Sequence, residues 1–309
     1  VKLVMSAHIA LPGLTGGLEV PSTLSPTIMR KLLRDELGFR GIVVSDAMDM
    51  GAIQKGLGLA VDCIAASAAG VDLLLLADYG EGFEAVYSAV LQAARRGLLA
   101  PGEIMASARR VLELKAWLSE HEQPGLEVVH CEEHRALAYE IAAHSVTLVR
   151  DTQGCLPLSL AADARIALVL PRPADLTPAD TSSYETPVLA EMLLHYHPAV
   201  DQIDVPTNPD SSDIGAVLQR VKGYDLVIAG TINAFQQPGQ AALVNTLLEG
   251  GSKVIAVALR LPYDLSAYPG APTYICTYNL QPPSMEALAD ALWGRIPFLG
   301  RSPVTVAGA

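Results

Sequence analysis

Short apolar segments alternate with amphipathic segments along the whole chain. In the first third, residues 1–7, 41–45 and 71–77 are apolar runs of the kind found in strands buried on both faces of a parallel sheet. An amphipathic segment follows each run. The predicted helices of this third cover residues 26–37, 59–69, 81–96 and 101–118. Repeated strand–helix units of this kind predict an α/β fold.

Residues 119–130 (SEHEQPGLEVVH) interrupt this pattern with charge, proline and glycine, a composition typical of a linker. We therefore predict a first domain over residues 1–119, a linker over 120–130 and a second α/β domain over 131–309. The pattern of the second domain favours a helix–sheet–helix sandwich. Its predicted strands are 145–150, 165–170, 201–205, 225–230, 253–259 and 273–277, and its main helices 184–196, 212–222, 240–249 and 284–293.

The three strands of the first domain are too few to close a barrel, yet their apolar character requires sheet neighbours at both edges. We expect either that the second domain supplies these neighbours or that the sequence begins partway through a larger barrel.

Composition excludes several classes of protein. Acidic residues number 33 and basic residues 21, which gives a net charge of −12, so the chain lacks the positive footprint of a nucleic-acid binder. A mean hydropathy of +0.31 excludes disorder, and no apolar run reaches the roughly 20 residues of a membrane span. No phosphate-binding glycine motif is present, so no cofactor is predicted. The four cysteines are far apart and predict no disulfide framework: Cys63, Cys131, Cys155 and Cys276.

Candidate chemistry begins at Asp46, which directly follows the apolar run 41–45. The carboxyl ends of strands are where α/β proteins build their sites. The alternative is that an aspartate here caps the next helix, and Asp49 and Asp78 fit that alternative better. A second pattern, H-x-x-E-H over residues 130–134, matches an inverted zinc-protease motif. Its acidic residues also suit the start of a helix, and we favour that interpretation over zinc.

The order of motifs around Asp46 carries a family resemblance. A strand ending in A-H-I (residues 7–9) precedes P-S-T-L-S (21–25), then L-L-R-D-E-L-G-F (32–39), then a strand ending in S-D. This order resembles glycoside hydrolase family 3, specifically its bacterial β-N-acetylglucosaminidase branch. The β-glucosidase branch has a tryptophan after Ser-Asp, where this chain has Ala47-Met48. Similar segments continue through residues 68–76, 109–115, 138–151, 258–269 and 277–305.

The resemblance implies an α/β fold made of the last three βα units of a (β/α)8 TIM barrel, followed by an αβα sandwich. Residues 1–7, 41–45 and 71–76 would be the sixth, seventh and eighth barrel strands. The N-terminal half of the barrel would come from the same gene or from a partner chain.

The resemblance also implies a retaining exo-β-N-acetylglucosaminidase that acts on a saccharide containing β-linked N-acetylglucosamine, in bacterial cell-wall or chitin-derived sugar turnover. Asp46 matches the family's catalytic nucleophile, and neither metal nor cofactor is implied. In this branch a histidine, oriented by an aspartate in a K-H-F-P-G-H-G-like stretch, donates the proton. The 309 residues contain no such stretch, so we expect this chain to be inactive by itself.

Two further residues are predicted to bind substrate. His8 ends the first strand near Asp46, and Met48 could form an apolar wall for the sugar. The alternatives are a histidine bonded to main chain and a methionine in the core. At the level of function, the alternatives are a family 3 β-glucosidase and a non-catalytic scaffold or binding protein. The cellular location is left open.

Overall fold

A computed structural model describes residues 1–53, 57–77, 80–176 and 180–308. The chain divides into two compact units, Val1–Pro124 and Gly125–Ala309. Helices and parallel strands alternate in both, so the predicted α/β class is confirmed. In the described part of the chain no helix is both long enough and apolar enough to cross a membrane.

The first unit contains a three-stranded parallel sheet. Its strands are β1 (Leu3–Ser6), β2 (Ile42–Ala47) and β3 (Leu73–Leu75), adjacent in chain order. Because neighbouring parallel strands need a crossover, a helix lies in each connection. The helices are α1 (Pro12–Thr15), a π-helix (Thr27–Glu36), α2 (Leu57–Ala69), α3 (Glu81–Arg95) and α4 (Pro101–Ser119).

The predicted helix over residues 26–37 is present, but it is wound more widely than an α-helix. The N–H of Leu37 donates to the carbonyl of Leu32, five residues back, as in π geometry. Gly38 follows with a φ of 69°, in the left-handed region that glycine adopts without strain. Helix geometry of this kind is not encoded in hydrophobic periodicity, so the sequence predicted only the position of the helix.

A buried carboxylate holds the start of β3. The side chain of Asp72 is 1% exposed, and its Oδ1 accepts hydrogen bonds from Nη2 and Nε of Arg110, at 2.7 and 3.1 Å. Its Oδ2 accepts from Nη2 of Arg34 at 2.7 Å and from the N–H of Val43 at 2.9 Å. This ion-pair network therefore ties the π-helix, β2, β3 and α4 together.

The second unit is built on a six-stranded sheet in the order β4-β9-β8-β7-β5-β6. The edge strand β4 runs antiparallel to β9, and the remaining neighbours are parallel. The strands are β4 (Thr147–Asp151), β5 (Ile166–Pro171), β6 (Val200–Val205), β7 (Leu226–Thr231), β8 (Val254–Ala258) and β9 (Thr273–Cys276). The helices are α5 (Glu132–Ser145), α6 (Leu189–Leu194), α7 (Ser211–Arg220), α8 (Pro238–Glu249) and α9 (Pro282–Leu292).

Alternate residues of these strands enter two separate apolar clusters. Leu168 of β5 packs in a cluster with residues of α5, α6 and α9, whereas Val169 packs in one with residues of α7 and α8. Every residue of β5 and β7 is buried. This coverage of both sides explains why the strands are continuously apolar instead of alternating.

One predicted helix of the second unit is much shorter than expected. The sequence predicted a helix over residues 184–196, but the structure has a 3-10 turn at Ser182–Tyr184 and then α6, Leu189–Leu194. Pro187 lies between the two. Proline disfavours the helical conformation of the preceding residue and cannot donate within a helix, which is the physical reason for this correction.

Candidate active site

Asp46 lies at the carboxyl end of β2, where the sheet is irregular. Val44 pairs with Leu73 and Ala47 pairs with Leu75. The chain therefore advances three residues in β2 over a stretch in which it advances two residues in β3. The extra residue is a β-bulge, a device that re-aims side chains at strand ends. The N–H of Leu75 donates to the buried Ser45 hydroxyl at 2.9 Å. The bulge therefore lies at the residues that present the candidate nucleophile.

The Asp46 carboxylate is partly buried and is held at one oxygen. The N–H of Ala47 donates to Oδ1 of Asp46 at 2.8 Å. Among the described residues, Oδ2 has no hydrogen-bond partner and the carboxylate forms no ion pair. One oxygen is thus oriented, while the other is available to a ligand. The alternative of helix capping has no support here, because Asp46 is a residue of the strand itself.

The residues after Asp46 form a tight turn. The N–H of Met50 donates to the Ala47 carbonyl at 3.0 Å, and Oδ2 of Asp49 accepts from the N–H of Ala77 at 3.1 Å. Met48 is 0% exposed and belongs to the apolar core of the first unit. Its placement matches the core alternative, and a sugar-contacting role for Met48 stays a prediction. Asp78, the other aspartate after a strand, lies outside the described residues.

His8 is bonded to main chain and to a hydroxyl near the same strand end. Its Nε2 lies 3.0 Å from the carbonyl oxygen of Ala47, and its Nδ1 lies 2.9 Å from Oγ1 of Thr23. Both ring nitrogens therefore have partners within the chain. The contact bridges 39 residues of sequence, and a role for His8 in binding sugar stays a prediction.

The zinc interpretation of residues 130–134 has no geometric support. Helix α5 begins at Glu132, with Glu132 and Glu133 in its first turn, whereas His130 precedes the helix with a φ of 56°. His130 and His134 therefore do not share a helical face. Within residues 1–53, 57–77, 80–176 and 180–308, no group of three or more His, Cys, Asp or Glu side chains is arranged to hold a metal. The four cysteines are free.

Two other places in the structure have the features of a site. A cavity of about 1010 Å³ lies beside β3, α3 and α4, but its lining is mostly apolar and does not include Asp46. In the second unit, Asp264 is fully buried, and burial raises the pKa of its carboxyl. Its Oδ2 accepts from the Thr231 hydroxyl at 2.6 Å. No cation contacts this carboxylate among the described residues. The carboxylates at these places are either paired with arginines, as Asp72 and Glu103 are at the cavity, or fully buried, as Asp264 is.

Comparisons with known proteins identify a family that the first unit resembles. Residues 1–114, which include Asp46, match the family model described as the glycosyl hydrolase family 3 N terminal domain. The resemblance to glycoside hydrolase family 3 is confirmed. Some curated proteins are similar along almost the whole chain. The "Beta-N-acetylglucosaminidase/beta-glucosidase" of Cellulomonas fimi is 27% identical over 329 residues, and the alignment covers 98% of this chain and 57% of that protein.

Two further proteins are similar over almost the same extent of the chain. The "Beta-hexosaminidase A" of Pseudoalteromonas piscicida is 26% identical over 356 residues, covering 98% of this chain and 58% of that protein. The solved structure of a family 3 β-N-acetylglucosaminidase from Paenibacillus sp. str. FPU-7 superposes with a TM-score of 0.89 at 28% identity, covering 97% of this chain and 58% of that one. The 309 residues thus span a little over half the length of these relatives.

The sequence missed the contacts of His8 and of the Asp46 carboxylate. Thr23 belongs to the P-S-T-L-S motif, yet the motif gave no reason to connect it with His8. The main-chain groups of Ala47 have no sequence signal at all. Position in a family motif was the only signal that could have pointed to Thr23.

Proposed function

We propose that Asp46 is the nucleophile of a retaining exo-β-N-acetylglucosaminidase. The observation that carries this proposal is the carboxylate at the carboxyl end of β2, with Oδ1 held by the N–H of Ala47 and Oδ2 without a partner in the described residues. A fixed carboxylate with one available oxygen is what attack on an anomeric carbon requires.

The chemistry divides into two displacements. In the first, an oxygen of Asp46 bonds to the anomeric carbon while the bond to the leaving oxygen breaks and that oxygen takes a proton from a general acid. In the second, water gives up a proton to the same group and attacks the anomeric carbon, and the ester to Asp46 breaks. The sugar leaves with retained configuration and the carboxylate is regenerated.

We propose that the proton-transferring group lies outside these 309 residues. The sequence contains no K-H-F-P-G-H-G-like stretch, and the chain spans only 57–58% of its relatives. The proposed fold agrees with this. We propose that the first unit, Val1–Pro124, forms the last three βα units of a (β/α)8 barrel. The evidence for this is its three parallel strands, which are adjacent in chain order. The second unit would be an αβα sandwich domain, supported by its two apolar clusters.

Covalent labelling tests the role of Asp46. The protein encoded by the complete gene is incubated with a 5-fluoro N-acetylglucosaminyl donor, digested and analysed by mass spectrometry. We expect the label on Asp46, and we expect Asp46→Asn to lower turnover of an aryl β-N-acetylglucosaminide by more than about 10³-fold. Asp49→Asn is the matched control, because it removes a nearby carboxylate whose Oδ2 accepts from Ala77. Label on another residue, or an active Asp46→Asn variant, contradicts the proposal.

The location of the proton donor has its own test. We expect the 309-residue chain by itself to give no turnover of the aryl glycoside, and the complete protein to be active. Robust hydrolysis by the 309-residue chain that Asp46→Asn abolishes places a general acid within these residues and overturns this part of the proposal. Lack of activity in the complete protein favours a scaffold or binding role.

A second substrate class has specific support. The Cellulomonas fimi relative is named for two activities, β-N-acetylglucosaminidase and β-glucosidase. Comparison of kcat/KM for aryl β-N-acetylglucosaminide and aryl β-glucoside decides between them. We expect the N-acetylated substrate to be preferred, because Ala47-Met48 stands where the β-glucosidase branch has its tryptophan.

A further inference from the structure

His8 and the Asp46 carboxylate are bonded to opposite ends of one residue, Ala47. The N–H of Ala47 donates to Oδ1 of Asp46 at 2.8 Å, and the Ala47 carbonyl lies 3.0 Å from Nε2 of His8. These two bonds define the orientation of Ala47 from both sides. The His8 imidazole and the Asp46 carboxylate are thus connected through the main chain of one residue.

The hydrogen-bond directions follow from the groups involved. A carbonyl oxygen only accepts hydrogen bonds, so Nε2 of His8 carries a proton and donates a hydrogen bond to the Ala47 carbonyl. Nδ1 faces Oγ1 of Thr23, and this hydroxyl is also 3.2 Å from the Ala7 carbonyl and 2.9 Å from the Ser6 hydroxyl. Thr23 can donate to a neutral Nδ1, or accept from a protonated one while donating to Ala7. The bond from His8 to Ala47 is retained in both cases.

We propose, on the basis of the proposed function, that His8 is a positioning residue that acts on Asp46 through Ala47. It holds the Ala47 main chain so that the N–H of Ala47 keeps the carboxylate directed at the anomeric carbon. Precise placement of a reacting group matters greatly, since a displacement of about 1 Å can cost roughly 10²-fold in rate.

The turn after Asp46 does not depend on His8 for its closure. The N–H of Met50 also donates to the Ala47 carbonyl, at 3.0 Å, and the N–H of Met48 donates to the carbonyl of Leu75 at 2.8 Å. Loss of the imidazole therefore leaves the turn closed while removing one restraint on Ala47. This separates positioning from folding and makes the proposal testable.

Three variants of the complete protein test it. His8→Ala removes both bonds, and His8→Gln restores a donor toward Ala47 and an acceptor toward Thr23. Thr23→Val removes the group that fixes the imidazole. Ser22→Ala is the matched control, because Ser22 lies in the same 3-10 turn as Thr23 (Ser22–Leu24), but its hydroxyl donates to the carbonyl of Ile9. Active sites are titrated with the 5-fluoro N-acetylglucosaminyl donor, and kcat and KM are measured per labelled site.

We expect kcat per labelled site to fall by about 10- to 100-fold in His8→Ala, with KM changed much less. His8→Gln should recover most of this loss, Thr23→Val should show a smaller loss in kcat, and Ser22→Ala should show none. Recovery by glutamine and a loss confined to kcat are results that a purely structural histidine does not give.

Several outcomes overturn the proposal. Unchanged kcat per labelled site in His8→Ala and Thr23→Val makes His8 structural only. A rise in KM at constant kcat makes it a sugar contact. If His8→Ala does not fold, unchanged kcat per labelled site in Thr23→Val overturns the proposal by itself. A label on Asp46 in all these cases shows that only the positioning proposal has failed, whereas an unlabelled Asp46 in an active enzyme removes the proposed function with it.

Discussion

The two sheets are built from similar apolar strands, but their surfaces differ. In the second unit every residue of β5 and β7 is buried, because helices pack on the sheet from two clusters. In β1 of the first unit, Leu3 is 40% exposed and Met5 57% exposed within the described chain. A continuously apolar strand therefore indicates that both faces of the sheet need packing partners. It does not indicate which part of a protein supplies those partners.

Their buried carboxylates differ in the same way. Asp72 of the first unit is bonded to two arginines and an N–H. Asp264 of the second has the Thr231 hydroxyl and main-chain N–H groups as its partners. Ion pairing in one case and neutral donors in the other predict very different responses to substitution. Each unit contains one tryptophan, Trp117 or Trp293, so fluorescence can follow each unit separately.

The largest effect is expected from Asp72→Asn. The substitution leaves Arg34 and Arg110, which are 14% and 21% exposed, without their anionic partner. We expect a loss of about 3–5 kcal/mol in the free energy of unfolding of the first unit. Urea unfolding of a Trp293→Phe background, in which Trp117 is the reporter, measures this loss. The control is Glu103→Gln, which breaks the ion pair between Arg30 and Glu103. Their side chains are 35% and 52% exposed, so the loss should be less than about 1 kcal/mol.

Substitution of one buried and one exposed methionine measures how the packing of the two units differs. Met285→Ala, at a fully buried position of α9, should cost about 2–5 kcal/mol in the second unit. Met5→Ala should change the stability of the first unit by less than about 0.5 kcal/mol. The measurement is urea unfolding of the 309-residue chain with the appropriate tryptophan reporter. A large loss from Met5→Ala that grows with protein concentration contradicts the comparison, because it means that another molecule covers β1 in solution.

The smallest effect is expected from Asp264→Asn, and it depends on pH. Burial raises the pKa of this carboxyl, opposed by the Thr231 hydroxyl and the N–H groups of Ala234 and Phe235. The folded-state pKa of Asp264 lies above its unfolded-state pKa of about 3.9. The contribution of this group to stability therefore rises as the pH falls through the folded-state pKa toward the unfolded-state pKa.

At pH 7 the Asp264→Asn variant should therefore differ from the unsubstituted chain by no more than about 1 kcal/mol. On lowering the pH from 7 toward the unfolded-state pKa of about 3.9, it should gain less stability than the unsubstituted chain does. Urea unfolding followed at Trp293 in a Trp117→Phe background gives both differences. An identical pH response in the two proteins excludes Asp264 as the titrating group.

The sequence predicted the elements better than their connections. The apolar runs place β5, β7 and β8 within one or two residues of their ends, because burial on both sides leaves a continuous signal. The antiparallel direction of β4 was not predictable, since the pattern of a strand does not record which way its neighbour runs. The position of Asp46 at the end of a strand followed from the apolar run before it. The bond from His8 to Ala47 was not predictable in this way, because it joins segments 39 residues apart and involves a main-chain group.

The bulge in β2 has a consequence for how this strand end tolerates change. Between Val44 and Ala47 the strand holds one more residue than β3 does over the same length. Side chains of a strand alternate between faces, so an odd insertion reverses that alternation for everything beyond it. Removing a single residue here would exchange inward and outward positions at Asp46, even if every remaining side chain were kept. Transfer of Asp46 into another sheet must therefore preserve the parity of the strand as well as the identity of the carboxylate.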